Sequence, residues 1–285
     1  MSNPSQQIAA FAEKALLYEV ALSPKPGLVD RQTNGAHQDM DFYTFIDSIT
    51  SLAPFFFHYA EAGYTHQGTF PELFEKVRRL GIEAEKKMLQ ATKGVNTHKG
   101  ANFSFAVLLA ATGFYLQKER LPFSEKDTAN ILQLSAKMTQ HVIKQDFEAL
   151  HLKEKLTYGE KLYLEQGITG IRGEAAQGYP ALSQLLLPFL RENRTEKKEN
   201  VLLRAMVLLM SEIEDSNLLH RGGFSAWQTV KEETKKIHQA NLSAEKLVDE
   251  LAAYDSLLIT RNLSPGGTAD LLALGIYFAF LEELF

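Results

Sequence analysis

Apolar residues in this chain recur at three- and four-residue intervals almost from end to end. Nowhere do β-branched residues alternate at period two between turn signals. That pattern buries one stripe of a helix and cannot bury one face of a strand. It dictates an all-α fold, read here as a single compact multi-helix domain over residues 1–285. Ile8, Phe11, Ala12, Ala15, Leu16 and Leu22 mark a helix over 6–22. Phe42, Phe45, Ile46, Ile49, Leu52 and Ala53 mark a second, with Asp41 as N-cap and Pro54 placed to kink or stop it. Leu73, Val77, Leu80, Ala84 and Met88 give a third over 70–92. Residues 101–116 and 271–281 are apolar nearly all round, which puts two helices at the centre. The second of these runs is too short for a membrane span of about 20 residues. Further helices are expected over 124–144, capped by Ser124, and over 157–166, 181–190, 201–211, 225–240 and 243–260.

Five polar, glycine-bearing loops separate these helices. The densest runs Ser23-Pro24-Lys25-Pro26-Gly27-Leu28-Val29-Asp30-Arg31, then Asn34-Gly35-Ala36-His37-Gln38-Asp39-Met40-Asp41. Its prolines fix φ and remove two donors, so it is stiff as well as polar. The others are residues 93–100, 167–176, 214–223 and 262–270. Each combines glycine, a cation or hydroxyl, and a loop–helix junction; four of the five also carry a carboxylate. One such loop is an ordinary well-capped helix start. Five of them, carrying Lys25, Arg31, Lys99, Arg172 and Arg221, point to a polyphosphate or nucleotide. Helix N-termini favour anions, and Ser264-Pro265 reads as such a start, with Gly266, Gly267 and Thr268 behind it.

Net charge is −5, from 30 basic and 35 acidic residues, which argues against a broad nucleic-acid or anionic-membrane surface. The chain has no cysteine, so disulfides, thiolate metal sites and cysteine nucleophiles are excluded. That composition is compatible with a reducing cytoplasm, and residues 1–10 lack the pattern of a secretory signal. Oxygen ligands without sulfur suit Mg²⁺, and Asp30, Asp39, Asp41, Glu174, Asp215 and Asp270 are the loop carboxylates that could supply them. No zincin motif, nucleophile elbow or Walker loop is present.

These five loops, in order, resemble the triphosphoribosyl-dephospho-CoA synthase family. The resemblance rests on the 23–41 segment, Gly94-Val95-Asn96-Thr97-His98-Lys99-Gly100, Gly170-Ile171-Arg172-Gly173-Glu174-Ala175, Asp215-Ser216-Asn217 with Arg221-Gly222-Gly223, and Ser264-Pro265-Gly266-Gly267-Thr268-Ala269-Asp270. It implies transfer of the triphosphoribosyl group of ATP to the ribose 2′-hydroxyl of 3′-dephospho-CoA, with release of adenine. It further implies that the product is the precursor of the citrate lyase acyl-carrier prosthetic group, attached by a holo-transferase; a sister branch serves malonate decarboxylase. The length suits the synthase alone, and a homo-oligomer is allowed.

That chemistry needs a base for the hydroxyl, a donor at the departing adenine, and cations with Mg²⁺ on the triphosphate. Under the resemblance, Glu174 is the preferred base, Asp41 a further catalytic carboxylate, and His37 or His98 assists at adenine. Lys25, Arg31, Lys99, Arg172 and Arg221 hold phosphates, helped by the helix start at Ser264, and Asp39, Asp41, Asp215 and Asp270 are the Mg²⁺ ligands or the base. The competing readings are another all-α Mg²⁺-dependent nucleotide hydrolase and a non-catalytic nucleotide-binding assembly module.

Overall fold

The chain enters its first helix at Asn3, whose Oδ1 accepts the Ser5 N–H at 2.9 Å and caps α1 (Pro4–Ala21). The structure, a computed structural model, describes residues 3–156 and 158–285. Eleven further helices follow: α2 (Phe42–Tyr64), α3 (Phe70–Ala91), α4 (Lys99–Tyr115), α5 (Glu125–Glu148), α6 (Tyr158–Gln166), α7 (Gly170–Ala176), α8 (Leu187–Glu192), α9 (Lys198–Glu212), α10 (Ser216–Gln239), α11 (Ala244–Thr260) and α12 (Gly266–Leu281). There is no strand among the described residues. Thr157, expected at the start of the helix over 157–166, lies outside them, as do Met1 and Ser2.

The two all-apolar runs lie at the centre. In α4 every residue from Phe105 to Gly113 is buried, and in α12 every residue from Leu271 to Leu281. Helix α2 crosses α4 at close range. A Cβ built on Gly113 would stand 2.1 Å from the Ala60 carbonyl oxygen, and one on Gly63 would stand 1.9 Å from that of Ala110. Only glycine at both positions lets the two backbones meet this closely. Tyr59 donates to Asn102 Oδ1 at 2.9 Å, and Asn102 Nδ2 donates to the Gly81 carbonyl at 3.1 Å, tying α2, α4 and α3 through one satisfied buried network. Asp41, Thr69 and Ser124 close reciprocal capping boxes at the starts of α2, α3 and α5.

Three expectations are corrected. Pro54 does not stop its helix: α2 continues to Tyr64, with Ile49, Leu52, Phe56 and Tyr59 fully buried on either side of it. Tertiary burial there outweighs the lost backbone bond. The helix expected over 181–190 begins as a wide π-type turn, Ala181–Leu186, before α8. Pro188 lacks the N–H that an α-helix would direct at Gln184, so the regular ladder is already broken. Finally, the third and fourth polar loops are largely helical. Residues 170–176 form α7, and α10 starts at Ser216 and bends at Gly223, where φ is 72°.

Candidate active site

The starts of α4, α10 and α12 converge on one cleft of about 230 Å³, closed on the opposite side by α1 and the 23–41 segment. Lys99, Gly100, Asn217 and Gly266 line it from those helix starts, so three positive dipole ends face one space.

The 23–41 segment is held by carboxylates. Asp30 accepts the N–H groups of Lys25 (2.9 Å), Gln32 (2.7 Å) and Thr33 (2.9 Å). Asp255, far away on α11, accepts the Gly27 N–H at 2.8 Å and the Thr33 hydroxyl at 3.1 Å. The segment is therefore rigid, as its prolines imply.

Buried charge forms the floor. Lys25 is 1% exposed and its ammonium is paired with Glu19 of α1. Burial raises the Glu19 pKa, opposed by Lys25. Asp270, in the first turns of α12, packs against the start of α4, where a Cβ on Gly100 would lie 2.1 Å from its Oδ2. Burial holds the Asp270 carboxyl well above the ordinary range. The charges of Glu19 and Asp215 push the same way, and the Ala101 N–H acts against them. Asp215 caps α10, accepting the N–H groups of Asn217 (2.9 Å) and Leu218 (3.2 Å), and reaches α12 through the Thr268 N–H (2.8 Å) and hydroxyl (3.1 Å). Gly266 and Gly267 permit this junction, since Asn217 and Asp215 fill the space where their Cβ atoms would stand.

The rim carries the histidines. His37 Nε2 meets Ser264 Oγ at 2.9 Å, and Arg221 donates to His37 Nδ1 at 3.0 Å. A ring nitrogen that accepts from Arg221 has no proton, so Nε2–H donates to Ser264. Burial first, then the Arg221 charge, lowers the His37 pKa to about 4, with Asp39 opposing. Arg221 also donates to the Ala36 carbonyl at 2.7 Å and Asn262 Oδ1 at 3.1 Å. His98 is buried below the rim, with Nδ1 2.7 Å from Ser48 Oγ. Burial, then Lys25, lowers its pKa to about 3. Lys99 lines the cleft and pairs with Glu85 at 2.6 Å.

A protein-family model described as ATP:dephospho-CoA triphosphoribosyl transferase matches residues 5–285. The chain belongs to this family. It is an enzyme of the triphosphoribosyl-dephospho-CoA synthase kind, as are its relatives by name. A protein of Streptococcus equi subsp. zooepidemicus (strain MGCS10565) is 54% identical over 284 residues, covering 97% of both chains. One of Streptococcus mutans serotype c is 49% identical over 286 residues, again 97% of both. Each is named "Probable 2-(5''-triphosphoribosyl)-3'-dephosphocoenzyme-A synthase". A crystal structure of a candidate triphosphoribosyl-dephospho-CoA synthase from Archaeoglobus fulgidus covers 84% of this chain and 100% of its own, at 18% identity and a TM-score of 0.49.

For this family member the cleft gathers His37, Asp39, His98, Lys99, Arg221, Ser264, Gly266 and Asp270, with Lys25 beneath. It leaves out the others. Arg31 is 53% exposed, 3.8 Å from Glu199. Arg172 is 41% exposed and faces Asp146 at 4.0 Å. Glu174 accepts the Ala181 N–H at 3.1 Å, away from the cleft lining, and burial raises its pKa. Asp41 accepts the Thr44 N–H at 2.8 Å and hydroxyl at 2.7 Å as an exposed cap. Asp215, Gly267 and Thr268 form the helix junction behind the lining. Ser264 is not an N-cap: Pro265 holds that position, and the Ser264 hydroxyl serves His37 instead.

The four aspartates do not fit a protein-held metal centre. Asp41 is a cap, Asp215 is committed to four donors, and Asp270 is half-buried against like charge, leaving Asp39 on the rim. Among the described residues no group of three or more His, Asp or Glu is arranged to hold a metal ion. Glu19, Ser48 and Asp255 are the residues that sequence reasoning missed. Glu19 had one available signal, a carboxylate on the apolar stripe of an amphipathic helix beside Ala12, Ala15 and Leu16.

Proposed function

We propose that this enzyme transfers the triphosphoribosyl group of ATP to the ribose 2′-hydroxyl of 3′-dephospho-CoA and releases adenine. The observation that supports this reading, beside family membership, is a half-buried carboxylate, Asp270, set in a cleft ringed by three helix starts and two rim cations, Lys99 and Arg221. In this reading the C1′–N9 bond of ATP breaks and its electron pair leaves with adenine. A C1′–O bond forms to the acceptor hydroxyl, whose proton passes to Asp270. Adenine takes a proton from solvent, and Asp270 returns its own. The raised pKa of Asp270 makes it a stronger base than an ordinary carboxylate. It replaces Glu174 in that role because Glu174 does not reach the cleft.

Lys99, Arg221 and the start of α12 at Gly266 receive the triphosphate. Lys25 instead neutralises Glu19 and fixes the floor. Mg²⁺ belongs to the ATP substrate rather than to a protein centre. The cleft is smaller than the roughly 300–1,000 Å³ of sites that enclose a drug-sized ligand, so it takes the reacting ribose with its neighbours while the rest of both substrates lies over the rim. The product fits the role of precursor to the citrate lyase acyl-carrier prosthetic group, taken up by the cognate holo-transferase.

Incubation with ATP, Mg²⁺ and 3′-dephospho-CoA, followed by mass spectrometry, tests the proposal. Adenine and the triphosphoribosyl adduct are expected together, and only when dephospho-CoA is present. Orthophosphate in their place identifies a hydrolase; ATP binding with no product identifies a non-catalytic module. Asp270→Asn should lower kcat by about 10²–10⁴-fold with little change in ATP affinity.

A further inference from the structure

His98 is 3% exposed and lines the cleft, yet its Nε2 is buried without a hydrogen-bond partner. Its other ring nitrogen meets the first of two linked hydroxyls. Thr97 Oγ1 donates to Ser48 Oγ at 2.6 Å, and Ser48 Oγ stands 2.7 Å from His98 Nδ1. A serine hydroxyl has one proton. Having accepted from Thr97, Ser48 gives that proton to Nδ1. The ring proton must then sit on Nε2, the atom left without a partner.

We propose that Ser48 and Thr97 are positioning residues that hold His98 as its neutral Nε2–H tautomer, and that this N–H is the donor to a ring nitrogen of the adenine of ATP. The inference rests on the reaction proposed above. The surroundings select the base over the phosphates. Leu16, Leu28, Met40 and Phe45 line the same cleft, and the Phe45 ring meets the imidazole edge-on at 4.9 Å between centroids. A neutral donor beside apolar side chains suits a flat heteroaromatic, while the cations Lys99 and Arg221 stand on the rim. The nearby Lys25 charge and burial keep the ring uncharged. No proton leaves His98. As the C1′–N9 bond breaks, electron density grows on the adenine nitrogens, so a fixed N–H bond strengthens most where the barrier lies. The alternative Nδ1–H tautomer would present a lone pair there instead of a donor.

Long-range ¹⁵N NMR of the ligand-free full chain reads the tautomer directly, with the His98 signals assigned by their loss in His98→Gln. The Nε2–H form is expected in the wild type, a mixture in Ser48→Ala and Thr97→Val, and the wild-type form in Thr97→Ser. Free adenine should shift the Nε2–H proton downfield. In steady-state assays, Ser48→Ala should lower kcat about tenfold or more, with KM for dephospho-CoA unchanged. An Nδ1–H tautomer in the wild type overturns the proposal, as does adenine that leaves the Nε2–H signal unmoved. A Ser48→Ala enzyme with unchanged tautomer and kcat overturns it too. Should that variant fail to fold, the wild-type spectra decide. Absence of adenine release by the wild type sinks the parent reaction and the assigned role at the leaving group. The tautomer then stands or falls on the spectrum alone.

Discussion

Lys25 looks like a phosphate ligand in a list of residues and acts as a counter-ion in the fold. Its ammonium is paired with Glu19, whose charge acts on Asp270 as does that of Asp215, and burial raises the pKa of all three carboxylates. Removing one partner of a buried pair costs about 3–5 kcal/mol, because the other charge is left uncompensated. Lys25→Met should therefore destabilise the protein by that amount near neutral pH, read by urea unfolding. The sign of its pH dependence follows from Glu19. A carboxylate with a raised folded-state pKa supports the fold while protonated and opposes it once pH rises through that pKa. The Lys25→Met deficit should thus shrink towards acid pH and grow towards alkaline pH; a deficit independent of pH would exclude the counter-ion role. The same logic governs Asp270 as a base. It works only when ionised, so the acid limb of kcat/KM should fall above the ordinary carboxylate range near 4, and Asp270→Asn should abolish that limb in its residual activity.

At the scale of elements, the contact between α2 and α4 is set by missing side chains. Gly113→Ala offers a helix about 1 kcal/mol of propensity. It also drives a methyl into the Ala60 carbonyl, a backbone atom that cannot swing aside. Overpacking of this kind costs about 1–3 kcal/mol or more, so the net effect should be destabilising, measured as a lower denaturant midpoint. A stabilised Gly113→Ala would mean that the two helices can separate at little cost. Helices were the legible part of the chain. Periodicity located α1, α3, α4 and α5 and the start of α2 within a few residues, and the two all-apolar runs became the core. What escaped was the start of each polar helix. Residues 170–176 and 216–222 carry glycine and charge at a density typical of loops, yet tertiary partners draw them into helix. For α10 the N-cap Asp215 accepts two of its first N–H groups and is itself held across the fold by Thr268 of α12. The site was half legible for a related reason. Local motifs reveal His98, Lys99 and Asp270. They do not reveal that Arg31 and Arg172 point elsewhere, nor that Ser48, Glu19 and Asp255 reach the same neighbourhood from the middle of helices.

For the molecule as a whole, the cleft is an anion site built over negative charge. Three helix dipoles and Lys25 balance the buried carboxylates, which leaves the rim to attract the triphosphate. A protein-held divalent cation has no cage here, so Mg²⁺ should be retained in equilibrium dialysis only when ATP is present. Retention without nucleotide would place a metal centre in the protein and refute the substrate-complex reading. Such a balance is also sensitive to salt: screening weakens the exposed Lys99 and Arg221 far more than the buried Lys25. Rising ionic strength should accordingly raise KM for ATP before it affects stability.

The cleft draws its walls from opposite ends of the chain, with Glu19 and Lys25 on one side and Ser264 to Asp270 on the other. Helix α12 carries Asp270 and fills the core against α4. A chain without α12 therefore has neither a closed interior nor this base, so closing the core and becoming competent to react are a single event.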